Sequence, residues 1–265
     1  MRSRLFLWIR GLGLTQGVDK AYFYFNKIRF FKKNRKFRKE HPSVILPRDY
    51  SIYESYRLDY KDYVDDGRET AAWLVKELAH YVSFSDKRLL DWGCGPGRVV
   101  RHLPAFLPFA KIYGADYNTS TIAWCNQHIG GVEFVLNTLH PPMPFDGDYF
   151  DIAYALSVFT HLSEDSHHEW VNELHRILKP GGVFLFTTQG SAFLSKMVKH
   201  EREQFQGGAL VVRGRTKEGH RSFTAFQPEQ FVRSLFSARW RVLKFTEGKQ
   251  QEWGLEQDTW IVQKC

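Results

Sequence analysis

The 265-residue chain has little cysteine and no long apolar run. Its three cysteines stand at positions 94, 125 and 265 without a Cys-x-x-Cys pair, so the spacing predicts neither a disulfide framework nor a structural zinc site. The apolar run LFLWI at 5–9 ends at Arg10, and no small-residue cleavage site follows it. The run is too short for a signal-peptide core or a transmembrane helix. We therefore expect a cytoplasmic protein in a reducing compartment.

The sequence also lacks a metal-binding pattern. His167, His168 and His175 fall in one expected helix, over residues 165–178. However, His168 and Glu169 are not followed by the second histidine that the H-E-x-x-H motif requires. The pattern of this helix is typical of a surface element. We therefore expect no metal site.

The net charge of +8 is unevenly placed along the chain. Residues 1–40 contain 12 Lys and Arg against two acidic residues, a net charge of +10, whereas the rest of the chain sums to −2. The basic character thus belongs to an N-terminal arm and not to the main domain. Nucleic acid is therefore not expected as the partner of that domain.

Two apolar stripes at helical spacing precede the basic run 32–39 and predict two short amphipathic helices. The stripes are Leu5, Trp8, Ile9 and Leu12, then Val18, Ala21, Tyr22 and Phe25. Two roles stay open for residues 1–40. The arm either contacts anionic lipid headgroups or an acidic partner, which would make the protein peripheral at the inner face of a membrane, or it caps the chain's own active site.

Residues 89–98, with the sequence LLDWGCGPGR, are typical of a buried strand, a glycine-rich turn and the start of a helix. Glycines at 93, 95 and 97 let the backbone approach a ligand closely, and the N–H groups of the following helix face the same point. The spacing differs from the G-x-G-x-x-G of pyrophosphate-binding loops. Asp91 beside this loop would repel phosphate but would suit a ligand that carries an ammonium and a sulfonium group.

Residues 110–116 predict the second strand, which ends at Asp116. A carboxylate at the carboxyl end of a strand, 19 residues past Gly97, can accept hydrogen bonds from both hydroxyls of a ribose. The same geometry would serve NAD. Asp116 alone therefore does not distinguish NAD from a ligand that carries an ammonium and a sulfonium group.

Two further apolar strands are predicted at 132–136 and 150–156. The segment SVFTHL at 157–162 follows the second of them, at the sheet edge that faces the ligand in doubly wound folds. His161 in this segment is the first candidate for a catalytic residue. His220 is the second, because it lies in the irregular stretch 189–226, where substrate-recognising insertions occur. Residues 69–82 predict a helix, and residues 240–245 and 259–263 predict two final strands.

These features in this order resemble the class I S-adenosylmethionine-dependent methyltransferases. The resemblance rests on LDWGCGPGR, on Phe-Asp before the fourth strand, on SVFTHL after it, and on Leu-Lys-Pro-Gly-Gly at 178–182. It implies an α/β Rossmann-like fold with a seven-stranded, mostly parallel sheet that ends in an antiparallel strand, and an N-terminal helical extension. Pro42 and Pro47 mark a linker, so we expect a basic amphipathic helical extension over 1–47 and the methyltransferase domain over 48–265. The resemblance also implies a lid at 48–70, and we expect a substrate-recognition insertion at 189–226.

The resemblance further implies S-adenosyl-L-methionine as cofactor and a set of cofactor-binding residues. These are Asp91, Gly93, Cys94, Gly95, Gly97, Asp116, Tyr117, Thr138, Leu139, Leu156 and Ser157. The chain departs from the family at Thr138, where an acid often accepts a hydrogen bond from the adenine amine. A Thr hydroxyl lacks the charge assistance of that acid and should hold adenine more loosely.

The expected reaction is methyl transfer to a hydroxyl, amine or carboxyl group of a small molecule or glycan. No Asn-Pro-Pro-Tyr follows the fourth strand, and no carboxylate cluster suggests a magnesium-held catechol. His161, or His220, would take the proton of a poor nucleophile such as a sugar hydroxyl. An alternative is a non-catalytic S-adenosylmethionine-binding or scaffold module whose basic arm binds RNA or an anionic membrane.

Overall fold

The computed structural model describes residues 15–214, 216–252 and 254–265. Its strands are β1 (Arg88–Trp92), β2 (Lys111–Asp116), β3 (Glu133–Leu136), β4 (Phe150–Ala155), β5 (Leu178–Thr188), β6 (Val211–Arg213), β7 (Thr224–Phe226), β8 (Trp240–Thr246), β9 (Gln250–Gln251), β10 (Gly254–Leu255) and β11 (Asp258–Lys264). Seven of them form one sheet in the order β3-β2-β1-β4-β5-β11-β8. β11 runs antiparallel to both β5 and β8, whereas β1, β2 and β3 pair in parallel, as do β4 and β5. The predicted fold class is confirmed.

The helices are α1 (Thr15–Glu40), α2 (Asp49–Ser55), α3 (Tyr60–Leu78), α4 (Leu103–Phe106), α5 (Thr119–His128), α6 (Glu164–Ile177), α7 (Lys199–Gln206) and α8 (Glu229–Leu235). The chain divides into two compact units. Residues 16–137 hold α1 to α5 with β1, β2 and β3. Residues 138–265 hold the remaining helices and strands.

The prediction of a short helix around residues 18–25 is wrong, because α1 continues through the basic run to Glu40. The other predicted helix, around 5–12, lies outside the described residues. The stripe Val18, Ala21, Tyr22 and Phe25 faces solvent. Instead the helix buries Phe23, Asn26, Asn34 and Phe37 against a cluster built around Ile52, Tyr53, Leu58, Tyr60 and Tyr63. None of the described helices is long and apolar enough to cross a membrane.

Helix α3 begins nine residues before its predicted start, because Asp59 caps it by accepting hydrogen bonds from the N–H groups of Lys61 and Asp62. Its buried face comprises Tyr60, Tyr63, Gly67, Ala71, Leu74 and Leu78. Ala72 and Ala79 of the same helix are exposed. A Cβ at Gly67 would lie 2.4 Å from the carbonyl oxygen of Arg98, so the helix approaches the segment after β1 on its glycine side.

Helix α6 buries Trp170, Leu174 and Ile177, and it also buries His167. The His167 ring stacks on Phe159 at 5.2 Å, and burial lowers its pKa to about 4. Within the described ranges, no three His, Cys, Asp or Glu side chains are grouped so that they could hold a metal ion. Buried His167 is therefore a packing residue, contrary to the expected surface position.

The insertion 189–226 is more regular than its sequence indicates. It contains a 3₁₀ helix (Ser191–Lys196), α7 and the antiparallel pair β6 and β7. Met197, Phe205, Val211 and Phe226 form a small apolar core there. A buried ion pair joins Arg213 to Glu201 at 2.6 Å. The insertion thus has packing of its own.

Candidate cofactor site and active site

The glycine loop after β1 takes a backbone conformation that favours glycine. Gly93, Gly95 and Gly97 have φ angles of 76°, 50° and 74°. The N–H groups of Gly93 and Cys94 donate to the Ala115 carbonyl at 2.8 and 3.0 Å. The loop is therefore folded back against the end of β2.

Two of the glycines serve different purposes. A Cβ on Gly97 would lie 2.4 Å from the Ile129 side chain, so packing excludes a larger residue there. A Cβ on Gly95 would meet only Ser55 within 4 Å, at an ordinary 3.6 Å. Gly95 is half-buried, and its φ of 50° is the feature that favours glycine there.

Asp116 lies where the sequence predicts it, at the end of β2. Its carboxylate accepts hydrogen bonds from the N–H of Gly95 at 3.0 Å and from the N–H of Asn118 at 2.8 Å. Burial raises the pKa of this carboxyl, while hydrogen bonds from the backbone N–H groups of Asn118, Gly95 and Tyr117 act in the opposite direction. A carboxylate has about four acceptor positions, so these bonds leave room for a ligand hydroxyl.

Asp91 and Cys94 flank the start of the loop. Asp91 is buried in β1 opposite Gly114 of β2. Burial raises the pKa of the Cys94 thiol well above its usual value, and the carboxylates of Asp91 and Asp116 add to that effect. Cys94 therefore stays protonated and is not a nucleophile.

Tyr117 follows Asp116 at the same strand end. Burial, then the charges of Asp116 and Glu54, raise the pKa of its hydroxyl to about 12. Asn118 then caps α5 by accepting from the N–H groups of Ser120 and Thr121. The chain thus turns away from the sheet directly after Tyr117.

The segment after α1 reaches the glycine loop through several side chains. The Tyr63 hydroxyl donates to the Pro96 carbonyl at 3.0 Å. The Arg98 guanidinium lies over the Tyr56 ring at 4.3 Å, and the Tyr56 hydroxyl donates to Asp66 at 2.5 Å. Part of the predicted lid at 48–70 therefore packs on the loop.

The predicted adenine-contacting residues Thr138 and Leu139 lie between β3 and β4, in the second unit. Thr138 is exposed, and its hydroxyl donates to the His140 carbonyl. The Leu139 carbonyl accepts from the Trp170 indole N–H at 3.1 Å. A hydroxyl that donates one bond can still accept another, as the predicted role of Thr138 requires.

Leu156 and Ser157 directly follow β4, and Ser157 has a φ of 64°, which is uncommon for a residue other than glycine. Its N–H donates to the Thr187 hydroxyl at 2.8 Å, and its hydroxyl donates to the Gln257 amide oxygen at 2.9 Å. Thr187 donates to the same amide oxygen at 2.7 Å. Sequence reasoning missed Thr187 and Gln257, since partners 30 and 100 residues away give no local signal.

His161 is held by the insertion. Its Nδ1 lies 2.7 Å from the Phe223 carbonyl oxygen, and its own carbonyl accepts from the Gly219 N–H at 2.9 Å. A carbonyl only accepts, so Nδ1 carries the hydrogen and Nε2 of the neutral ring has the lone pair. Burial lowers the pKa of His161. The ring is therefore neutral and has the tautomer of a base.

His220 lies in the insertion 189–226. Its hydrogen is on the other ring nitrogen from that of His161. The Ser222 N–H donates to Nδ1 of His220 at 3.2 Å. The neutral ring then has its hydrogen on Nε2. The structure thus places both candidate histidines in one unit and gives them opposite tautomers.

The segment that contains the glycine loop is similar to a known family. Residues 90–186 match the family described as "Methyltransferase domain". The chain is 29% identical over 162 residues to a phthiotriol/phenolphthiotriol dimycocerosates methyltransferase of Mycobacterium ulcerans, covering 56% of this chain and 58% of the relative. It is 28% identical over 134 residues to a malonyl-[acyl-carrier protein] O-methyltransferase of Legionella pneumophila, covering 50% and 46%. The chain thus spans about half the length of these curated relatives.

A solved structure supports the fold. A protein of Methanosarcina mazei described as a SAM-dependent methyltransferase superposes with a TM-score of 0.55 at 20% identity. The superposition covers 71% of this chain and 96% of that one. The fold that the resemblance implies is confirmed, and residues 90–186 are similar to the methyltransferase domain family.

Proposed function

We propose, from the class I methyltransferase domain that this chain carries, that the protein transfers a methyl group from S-adenosylmethionine to an oxygen of a small-molecule or lipid acceptor. One observation carries the proposal. Asp116 at the end of β2 is hydrogen-bonded to the glycine loop at Gly95, so the groups expected to hold the ribose and the methionine moiety adjoin each other.

The residues of the first unit fit the cofactor. Gly95 has no Cβ between the backbone and a ligand, and the Asp116 carboxylate can accept a hydrogen bond from the ribose. The carboxylate of Asp91 suits the positive charges of the methionine moiety. Thr138, Leu139, Leu156 and Ser157 stay predictions from the resemblance.

The cofactor, when bound, supplies an electrophilic methyl group on a sulfonium. The protein then has to orient the acceptor and remove its proton. His161 suits the second task, because its Nδ1–H is engaged by the Phe223 carbonyl and its Nε2 lone pair can take a hydroxyl proton. His220 is less suited, since its Nε2 carries the hydrogen. Positioning of the acceptor contributes to the rate whether or not a base acts.

The acceptor class is proposed from the relatives. The names of the two curated relatives specify a lipid-type acceptor in one and an acyl-carrier acid in the other, and the second is an O-methyltransferase. The name of the second relative supports an oxygen acceptor such as a hydroxyl or carboxyl. The insertion 189–226, which contacts His161 through Phe223 and Gly219, is proposed to recognise the acceptor. Residues 48–70 are proposed to act as a lid.

Calorimetry with the purified chain tests cofactor choice. We expect binding of S-adenosylmethionine and S-adenosylhomocysteine and no binding of NAD. Equal or tighter binding of NAD would contradict the proposal. Asp116→Asn, which keeps the size of the side chain, should weaken binding without unfolding the protein.

A mass-spectrometric screen tests transfer. The protein and S-adenosylmethionine are incubated with fatty acids, hydroxylated lipids, sugars and RNA, and products that gain one CH₂ are sought. A methylated lipid or small molecule is expected. Cofactor binding without any product would favour the non-catalytic module instead.

A further inference from the structure

Helix α1 has an inward face fixed by specific contacts. The Asn34 side chain donates to the Leu58 carbonyl and accepts from the Tyr60 N–H, both at 3.0 Å. Phe23 and Phe37 are buried on the same side. These contacts set the rotation of the helix, so the residues on its far side are fixed too.

The far side is apolar along the first half of the helix. Tyr24, Ile28 and Phe31 follow each other at steps of four and three residues, and Phe25 adjoins them. Their exposed fractions are 63%, 79%, 58% and 58%. Scattered exposed apolar residues are ordinary, but a continuous stripe of them indicates an interaction surface.

The far side becomes basic along the second half of the helix. Arg35 continues the stripe four residues after Phe31, and Lys32 and Lys39 follow Phe25 at seven-residue steps. None of these three cations forms an ion pair within the part of the chain that the structure describes. By contrast, neighbouring cations of α1 are paired with acids: Lys27 and Arg38 with Asp49, Lys33 with Asp59, and Lys36 with Glu40.

We propose that this far side, the outer face of α1 (Tyr24, Phe25, Ile28, Phe31, Lys32, Arg35 and Lys39), binds the surface of an anionic phospholipid bilayer. A helix that lies in the interface inserts apolar side chains at the boundary of headgroups and acyl chains. Its cations then meet the lipid phosphates. The face offers both, in one line along the helix.

Other occupants satisfy the face less well. Nucleic acid would neutralise the cations but offers no apolar layer for Ile28 and Phe31. A second copy of α1 would bring the same three unpaired cations together, which costs free energy. The proposal concerns location and goes beyond the proposed methyl transfer, with which it shares no residue.

Vesicle co-sedimentation of the full chain tests the proposal. Vesicles of phosphatidylcholine with an equal part of phosphatidylglycerol are compared with pure phosphatidylcholine at low salt. We expect binding to the anionic vesicles that weakens as salt is added. Replacing Lys32, Arg35 and Lys39 by Gln should lower the partition coefficient on the order of 100-fold.

Matched variants separate the face from general charge and general hydrophobicity. A control variant removes the same charge from the insertion by replacing Lys196, Lys199 and Arg202 with Gln. Its partition coefficient on anionic vesicles should stay within about twofold of that of the unchanged protein. Ile28→Ser with Phe31→Ser should lower the partition coefficient at least about tenfold, whereas Phe109→Ser, at a residue 75% exposed, should not.

Three results would overturn the proposal: no sedimentation of the unchanged protein with anionic vesicles, equal loss in both charge variants, or a dimer that dissociates on Ile28→Ser with Phe31→Ser. Light scattering measures the last of these. Circular dichroism of every variant checks folding, and all of these positions are exposed. Calorimetry with S-adenosylmethionine on the same samples reports the methyltransferase proposal separately.

Discussion

Two strand ends carry the predicted chemistry, and they are built in different ways. The loop after β1 owes its shape to its own sequence, since Gly93, Gly95 and Gly97 provide three left-handed residues within five positions. The segment after β4 has no glycine. There Ser157 takes a left-handed conformation that is held by Thr187 and Gln257.

The difference shows which sites can be found from a sequence. A conformation that glycine makes easy needs no distant partner, so its signature is short and local. A strained residue persists only when the surrounding structure holds it in place. The second strand end therefore depends on contacts that no local pattern reveals. The same holds for the position of His161, which follows this strand end.

The largest expected effect lies at the second strand end, where His161→Ala should lower turnover by about 10²- to 10⁴-fold and leave cofactor affinity nearly unchanged. Because the pKa of His161 is lowered, the base form persists below the usual histidine range, and wild-type activity should fall only below about pH 6.5. Steady-state kinetics with the acceptor found by the screen measures both.

His220→Ala is the control for that experiment. A loss confined to His220→Ala would move the base from His161 into the insertion. Full activity in both variants would mean that neither ring is the base and that the contact to Phe223 only fixes the segment.

The next effect concerns Asp258, which follows Gln257 at the start of β11. Burial raises the pKa of its carboxyl to about 6, and the charges of Glu247 and Glu229 add to this effect. The hydrogen bond from the Gly248 N–H acts in the opposite direction. The unfolded chain has an aspartate pKa near 3.9, so the folded state binds the proton more tightly. Stability should therefore decrease as pH rises from about 4 to about 6, by up to about 3 kcal/mol.

Asp258→Asn removes this ionisation and should be more stable than the natural protein above about pH 6, with the advantage vanishing near pH 4. Urea unfolding across this range measures it. Asp146→Asn, at an exposed position, is the control and should be nearly neutral. If Asp258→Asn raised the free energy of unfolding equally at every pH, the Asp258 carboxyl would not be desolvated. The second strand end would then not be tightly packed.

At the first strand end, Asp116→Ala should weaken binding of S-adenosylmethionine by roughly 1.5 to 3 kcal/mol, or about 10- to 150-fold, through loss of the ribose hydrogen bonds. Calorimetry measures the change, with Asp146→Ala as the control. Unchanged affinity would remove Asp116 from the ribose site. Loss of folding would show that the loop depends on its bond from Gly95 and is less self-sufficient than its glycines indicate.

The smallest effect tests whether the first strand end is purely local. Gly67→Ala in α3 should destabilise the protein by about 1 to 3 kcal/mol, because the added Cβ meets the Arg98 carbonyl. Gly17→Ala in α1 meets nothing within 4 Å and should stabilise by up to about 1 kcal/mol. Thermal unfolding of both variants measures the two changes in stability. If both variants were stabilised equally, α3 would not be in tight contact with the segment after β1.

The sequence predicts the sheet, the glycine loop and Asp116 because strand periodicity and glycine turns are local. It fails for α1, where the inward face contains Asn26 and Asn34 and the outward face carries the apolar stripe. Hydrogen bonds from Asn34 to distant backbone groups outweigh the apolar pattern there. It also gives no sign that Gln257 accepts a hydrogen bond from the Ser157 hydroxyl, since Gln257 is 100 residues away.

The position of β11 has a consequence for how the chain is made. β11 follows β8 in the sequence but lies between β5 and β8 in the sheet, and it carries the fully buried Trp260. During synthesis, β8 has no partner in the large sheet and β5 keeps an open edge until residues 258–264 leave the ribosome. Open edges invite pairing with other chains, so the nascent protein is prone to aggregation until β11 emerges.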